Sequence, residues 1–468
     1  MALLRELATI LARPTAVADR RRARLHLLDW LGCAFAGAAE PQGMALRRDA
    51  ASEGAGGASV LGGAPTAAPA AAFANGGMGN VLEMDDIHRE AILHPGPVVV
   101  PAALALAQQS GAGGTALLDA LVVGYDAVIR VGRSLGPAHY ALWHNTASAG
   151  PFGAAVACAR LLRLDAERTV WALGNAGTQV SGPWHCRHDA VMSKQLHTAR
   201  AAHAGLKAAQ LAALGFSGPA AMLEGPQGLY EATAPDAEPG RVVADPDGAF
   251  LIHATSFKPW PACRHAHAVI DAAMLARDRL DTTDGLDPAD IASVEVATYA
   301  DAIRFCDRPE PASVLDAKFS LQHAVAVTLA DGAPPLAAFE PEAVARPGIA
   351  RLRAATRVAA SDPYASAYPA RYGAGLRVVL RDGRSVEASV PDALGDPENP
   401  LSPERVEAKA LALLAHAGVP PTPAAALLEA VAGLDDAPDL GALTTAISQC
   451  GAALVASSRA PGVPNHAL

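Results

Sequence analysis

Residues 79–96, GNVLEMDDIHREAILHPG, place Glu83, Asp85, Asp86, His88, Arg89, Glu90 and His94 within eighteen positions and then run straight into the apolar, Ala-rich PVVVPAALALA. Charge this dense beside a buried-looking helix has to be paired or turned toward a polar cavity, because an uncompensated buried charge is costly. His94-Pro95-Gly96 is a turn that fixes the backbone around one imidazole before a helix starting between Pro97 and Pro101. A solvated helix face can be as charged, but it rarely ends in such a turn. The stretch reads as the wall of a pocket.

The body around that wall has to be built mainly from small side chains, since the 468-residue chain is 51% hydrophobic but only 4% aromatic. A core of Ala, Leu and Val favours closely packed helices over a β-sandwich, and the length favours two domains. Apolar positions recur at helical spacing over 2–12, 19–38, 98–109, 114–134, 147–163, 165–180 and 191–215, the last closed by Gly215. Residues 51–78, almost entirely Gly, Ala, Pro and Ser, read as loop and short helix. Beyond about 285 the pattern changes. A strand at 294–299, a helix at 313–331, a strand at 358–361 and a hairpin at 376–390 turning on Asp382-Gly383 predict an α+β insertion. Helical spacing then returns at 402–416 and 422–458. The expected fold class is mainly α: a large all-helical domain from both chain ends (1–267 and 400–468) carrying a smaller inserted α+β domain (268–399).

A net charge of −10 argues against nucleic acid or an anionic membrane as partner. The amphipathic N-terminus is not a signal peptide, and no apolar run reaches the roughly 18 residues of a membrane span. Six cysteines without a C-x-x-C pair read as reduced thiols. A cytoplasmic protein is expected. Gly111-Ala112-Gly113-Gly114 lacks the G-x-G-x-x-G spacing and reads as a helix break.

Eleven of the fifteen histidines fall between 88 and 267. His185-Cys186-x-His188 and Cys263-x-His265-x-His267 bring metal-ligand types together, but neither matches a zinc spacing. The other functional reading is metal-free acid–base chemistry, with His94 after the charged stretch and His144 at a loop-to-helix junction. Lys194 and His197 share one face of the long helix; Lys258 precedes two prolines; Lys318 and His323 open a helix of the second domain. Cations from separate segments suit a substrate with several carboxylates. Glu83, Asp86, His88, His197, Cys263 and His265 are the candidates for holding that substrate.

LEMDDIHREAILHPGPVVVPAALALA, GYDAVIRVG, WHNTASAGPFGAAVACARLL, SKQLHTARAAHAGLKAAQLAALGFSGPAAMLEGPQGLY, FKPWPACRHAH, LDAKFSLQH and NPLSPE follow one another as in the MmgE/PrpD family, which the chain resembles over about residues 5–460. That family includes 2-methylcitrate dehydratases, cis-aconitate decarboxylases and an iminodisuccinate epimerase. The resemblance implies a helical domain with a lid domain, a homodimer, and an interdomain site without metal or organic cofactor. It places the family's histidines on His94 and His144 and its lysines on Lys194 and Lys258. Two departures stand out. The usual D-F-D-D-T reads Glu83-Met84-Asp85-Asp86-Ile87, and the tyrosine of A-K-F-S-x-Q-Y, a proton donor in relatives, is His323.

The expected chemistry is proton abstraction alpha to a carboxylate of a small di- or tricarboxylate, with lysines stabilising the developing dianion and His94, His144 and His323 sharing the base and acid roles. A hydro-lyase of the 2-methylcitrate dehydratase kind is the first expectation. Decarboxylation and epimerisation are its close alternatives; a zinc-dependent hydrolase and a non-catalytic polycarboxylate-binding protein are the distant ones.

Overall fold

Ala- and Gly-rich helix faces let backbones approach until little but Cβ atoms separates them, and the larger unit is assembled that way. The structure, a computed structural model, describes residues 2–189, 191–280 and 287–458. Ten helices open the chain: Leu3–Leu11 (α1), Val17–Ala39 (α2), Pro41–Ser52 (α3), Ala68–Met78 (α4), Gly96–Ser110 (α5), Gly114–Gly132 (α6), Gly136–Leu142 (α7), Asn145–Leu161 (α8), Ala166–Gly177 (α9) and Lys194–Ala213 (α10). α10 packs on α4, α8 and α9, and α6 also packs on α8. The spacing at α8–α10 is set by glycine: a Cβ on Gly205 would lie 2.4 Å from the carbonyl oxygen of Pro151 and 2.5 Å from Cβ of Ala154. Packing this dense leaves no slack for a larger side chain.

The chain divides into two compact units, Met1–Thr255 with Ser402–Leu468, and Ser256–Leu401. The boundary lies before residue 268 because the intervening segment bonds into the smaller unit. Phe257 N–H donates to the Gly395 carbonyl (3.1 Å) and Cys263 N–H to that of Lys318 (2.9 Å). In the larger unit the returning chain adds Pro403–His416, which lies against α2, then Pro421–Ala432 and Gly441–Ser458. The single helix expected over 422–458 is thus two, split at Gly433 to Leu440, where Asp435, Asp436 and Pro438 interrupt the apolar spacing.

The smaller unit holds a four-stranded sheet in the order β2-β1-β3-β4, formed by Ile291–Thr298 (β1), Thr356–Ala360 (β2), Ala374–Leu380 (β3) and Ser385–Val390 (β4). β1 and β2 are parallel; the other pairs are antiparallel, with Gly383 at φ 89° in the expected hairpin turn. Helix His267–Leu280 covers β3 and β4, and Pro347–Ala355 covers β1. The helix expected over 313–331 is also two. The Ser320 hydroxyl accepts the His323 N–H (3.0 Å), capping a new start at Leu321. Among the described residues the chain is therefore mainly α with one small mixed sheet. Among the described residues no helix is long and apolar enough to cross a membrane.

Candidate active site

The charged stretch forms no regular element. It is an irregular loop between α4 and α5, with Glu83 (φ 59°) and Ile92 (φ 48°) in the left-handed region. Such a loop keeps its shape only if its polar groups are satisfied. Asn80 Nδ2 donates to both oxygens of Asp85 (2.9 Å each), and the His88 and Leu93 backbones bond to each other (2.9 and 3.4 Å). Lys409, arriving on helix Pro403–His416, places Nζ 2.6 Å from Asp29 Oδ1 and 2.6 Å from the Met84 carbonyl oxygen. The C-terminal return of the chain thereby holds the loop that the N-terminal half supplies.

Two neighbouring carboxylates take different tasks. Asp86 faces inward, where it meets Nδ1 of His26 (2.7 Å), the Tyr125 hydroxyl (2.7 Å) and the Gly96 N–H (2.8 Å). Burial pushes it up to about 6 despite the bonds from Tyr125 and Gly96, and burial holds His26 well below its ordinary range. Asp85 faces His94, with 2.8 Å between Oδ2 and Nδ1. The same nitrogen is 3.1 Å from the Asp86 carbonyl oxygen, and His94 N–H donates to Thr146 Oγ1 (3.0 Å). An imidazole held at Nδ1 by a carboxylate and a carbonyl carries its proton there and presents Nε2 to whatever reacts.

His144 caps the start of α8, and its N–H donates to the Gly182 carbonyl (2.8 Å). Its ring centroid is 6.1 Å from that of His94, 5.3 Å from that of His197 and 4.4 Å from the Trp184 ring. Nδ1 of His144 and Nδ1 of His197 are 3.1 Å apart. Burial under the indole drives His144 well below the ordinary imidazole range, with His197, Lys194 and His94 adding to the effect; burial and Lys194 bring His197 to about 4. One turn before His197, the Lys194 ammonium pairs with the Glu83 carboxylate. Glu83, His94, His144, Lys194 and His197 are thus gathered in the larger unit.

Five of the expected residues remain. His88 turns inward, its Nδ1 accepting the Ala91 N–H (3.2 Å), and burial pushes it down to about 3. Four belong to the smaller unit. Lys258 is fully buried and Cys263 buried. His265 is stacked between Phe305 and Tyr372 (centroids 5.3 and 5.5 Å) and bonded to the Tyr299 hydroxyl (2.8 Å). His323 is bonded to the Ala338 carbonyl (2.8 Å), with Arg353 Nη1 3.4 Å from its Nδ1. The imidazole at 323 is therefore engaged in holding helix Leu321–Asp331 to the segment beyond it. Neither Cys/His triad converges on a common point; among the described residues the cluster with metal-ligand spacing is Asp392, Asp396 and Glu398. Arg371 and Arg264 already pair with its two aspartates. A groove of about 740 Å³ crosses the open face of the sheet but holds none of these candidates.

Sequence reasoning did not assign Asp85, Trp184 or Lys409. Asp85 was visible in the charged stretch, but only the backbone path shows which of two adjacent carboxylates meets His94. Lys409 is a lone charge on an amphipathic helix, indistinguishable in sequence from a solvated one.

Comparison with known proteins covers most of the chain. Residues 7–241 match the model of the MmgE/PrpD N-terminal domain and residues 260–436 that of the MmgE/PrpD C-terminal domain. The chain is 27% identical to the human cis-aconitate decarboxylase over 394 residues, covering 80% of this chain and 78% of that one. It is 26% identical to the cis-aconitate decarboxylase of Aspergillus terreus, covering 82% and 83%. A cis-aconitate decarboxylase-like protein of Aspergillus oryzae is 34% identical over 209 residues, covering 42% and 43%.

Proposed function

The chain belongs to the MmgE/PrpD family, and from that premise we propose that it is a lyase acting on a small tricarboxylate, with decarboxylation of cis-aconitate or a close analogue as its reaction. The observation that carries the reading is the pair of imidazoles, His94 held by Asp85 and His144 held by His197, 6.1 Å apart beside Lys194. The cis-aconitate decarboxylases among its relatives favour this over the 2-methylcitrate dehydration expected first from the family resemblance.

Decarboxylation of an unsaturated tricarboxylate breaks a C–CO₂⁻ bond. The electron pair moves across the double bond and leaves a carbanion alpha to a second carboxylate. The enzyme must hold the carboxylates, stabilise that charge and protonate the carbon. Lys194 is the carboxylate ligand, exchanging its contact with Glu83 for one with substrate. His94, anchored through Nδ1, donates Nε2–H to the carboxylate that shares the developing charge when it is protonated. His144 delivers the proton to carbon. A dehydratase would use the same imidazoles to remove a proton and release a hydroxyl, so the assay has to separate the two outcomes.

The test is turnover by the full chain on cis-aconitate and on 2-methylcitrate, with products identified by proton NMR in deuterated water. The reading expects carbon dioxide and a deuterated unsaturated dicarboxylate from cis-aconitate, with His94→Ala and His144→Ala each lowering kcat by roughly 10²–10⁴. Water elimination from 2-methylcitrate without release of carbon dioxide would overturn the decarboxylase assignment. Unchanged turnover in both variants would overturn the site.

A further inference from the structure

Decarboxylation of a trianion to a dianion and carbon dioxide consumes one proton per turnover. The group that gives it, His144, is buried beneath the Trp184 ring, 4.4 Å away. While substrate fills the pocket, solvent has poor direct access to that imidazole. The described groups facing it are His94, Trp184, His197 and, acting through charge, Lys194. Of the imidazoles, His94 has Nδ1 engaged by Asp85. His197 is half-buried and touches His144 nitrogen to nitrogen, Nδ1 to Nδ1 at 3.1 Å. Its other nitrogen, Nε2, points away toward the half-exposed Cys186, 4.0 Å from Sγ.

A contact of this kind exists only when one ring donates and the other accepts, so the two rings share one proton along it. Backbone geometry protects it. Gly182, at φ 98°, accepts the His144 N–H, and a Cβ there would lie 2.4 Å from Cβ of Ala147 and 3.5 Å from the His197 ring. Any side chain at 182 would collide with Ala147, beside the His144–His197 contact.

From this geometry we infer that His197 is the proton relay between solvent and His144. The inference rests on the decarboxylase reading of the same site. As the C–CO₂⁻ bond breaks, its electron pair passes to the carbon alpha to the neighbouring carboxylate. His197 takes a proton from solvent at Nε2 while its Nδ1 proton moves to Nδ1 of His144. His144 gives its Nε2 proton to the carbon, and carbon dioxide leaves. One solvent proton has entered and no other co-reactant is needed. After product release opens the pocket to water, Nε2 of His144 takes a proton from that water, the Nδ1 proton returns to His197, and Nε2 of His197 gives one back to solvent; the relay thus keeps His144 neutral during the chemical step, and the full cycle consumes one proton and restores the starting tautomers. Burial keeps both rings neutral between turnovers, consistent with a value of about 4 for His197.

The experiment measures carbon dioxide release from cis-aconitate by the full-length wild type and His197→Ala in dilute buffer, with and without added imidazole. The relay expects kcat of His197→Ala to fall about 10²-fold with a much smaller change in KM. Imidazole, entering the space left by the side chain, should restore kcat at least severalfold and saturably, while wild type ignores it. A purely structural role would lower activity without rescue. Undiminished kcat, or a loss that imidazole does not repair, overturns the proposal. If His197→Ala fails to fold, His197→Gln preserves the volume and should show the same loss of kcat, now dependent on buffer concentration; independence from buffer again overturns it. Inactivity of the wild type on cis-aconitate would instead sink the decarboxylase reading. The pairing is then tested without substrate by ¹⁵N NMR of the rings: Nδ1 of His144 must shift between wild type and the variant, and an unmoved resonance ends the relay.

Discussion

Replacing Lys409 by Met tests whether the C-terminal part of the chain holds the candidate site in shape. Nζ of Lys409 lies 2.6 Å from Asp29 and 2.6 Å from the Met84 carbonyl, and both side chains are buried. Asp29 is raised from 3.8 to about 6, chiefly by burial, even with the ammonium beside it. That rise is worth roughly 3 kcal/mol against the ionised form, so burial outweighs the ammonium, although the carboxylate is still charged at pH 8. Removing one partner of a buried pair costs about 3–5 kcal/mol, and this should be the loss at pH 8. The sign with pH follows from Asp29 being an acid whose folded value is raised. The folded state gains relative stability as pH falls through about 6, and without the lysine that relief begins at higher pH. Near pH 5 Asp29 is protonated in both proteins, and the difference should shrink to about 1 kcal/mol, the worth of the lost bond to Met84. Urea unfolding followed at pH 8 and pH 5, with hydrogen exchange read over residues 80–95, measures both. Asp29→Asn in the same chain should recover most of the loss at pH 8. A Lys409→Met penalty below about 1 kcal/mol at pH 8, or one that does not depend on pH, would refute the reasoning.

Other outcomes are equally specific. Asp85→Asn removes the carboxylate that fixes the His94 tautomer and should lower kcat by roughly 10–100-fold, with a stability loss by thermal melting of about 1 kcal/mol for the Asn80 bond given up. Trp184→Ala opens His144 to water; since burial is what lowers that imidazole, its value should rise toward 6.5, moving the acidic limb of the kcat/KM profile to higher pH. Gly205→Val forces a side chain against Pro151 and Ala154 and should destabilise the larger unit by about 1–3 kcal/mol or more, measurable by the same urea titration. Of the six cysteines only Cys186 is partly exposed, so a thiol reagent should label one site rapidly in the folded protein and the rest only on unfolding, with labelling mapped by peptide mass.

How much of this was legible in the sequence depends on the range of each interaction. Helix periodicity and end signals are local, so α6 and α10 were readable to within a few residues, as was the Asp382-Gly383 hairpin. The helix break at Ser320 was missed because the apolar spacing carries on through it, and only the cap bond to the His323 N–H shows the interruption. At the site, residue type announced chemistry but not direction. Asp85 and Asp86 are adjacent and chemically identical, yet one is spent on His26, Tyr125 and Gly96 and the other on His94. What separates them is the turn at Glu83 and the path of the loop into Gly96, which place successive side chains on opposite sides of the backbone. The histidines divide in the same way. His323 has Nε2 on the Ala338 carbonyl, so its imidazole serves the fold, while His94 and His144 are held through Nδ1 by Asp85 and His197 and keep Nε2 for chemistry. Counting histidines pointed to a site; assigning them required knowing which nitrogen of each was already taken.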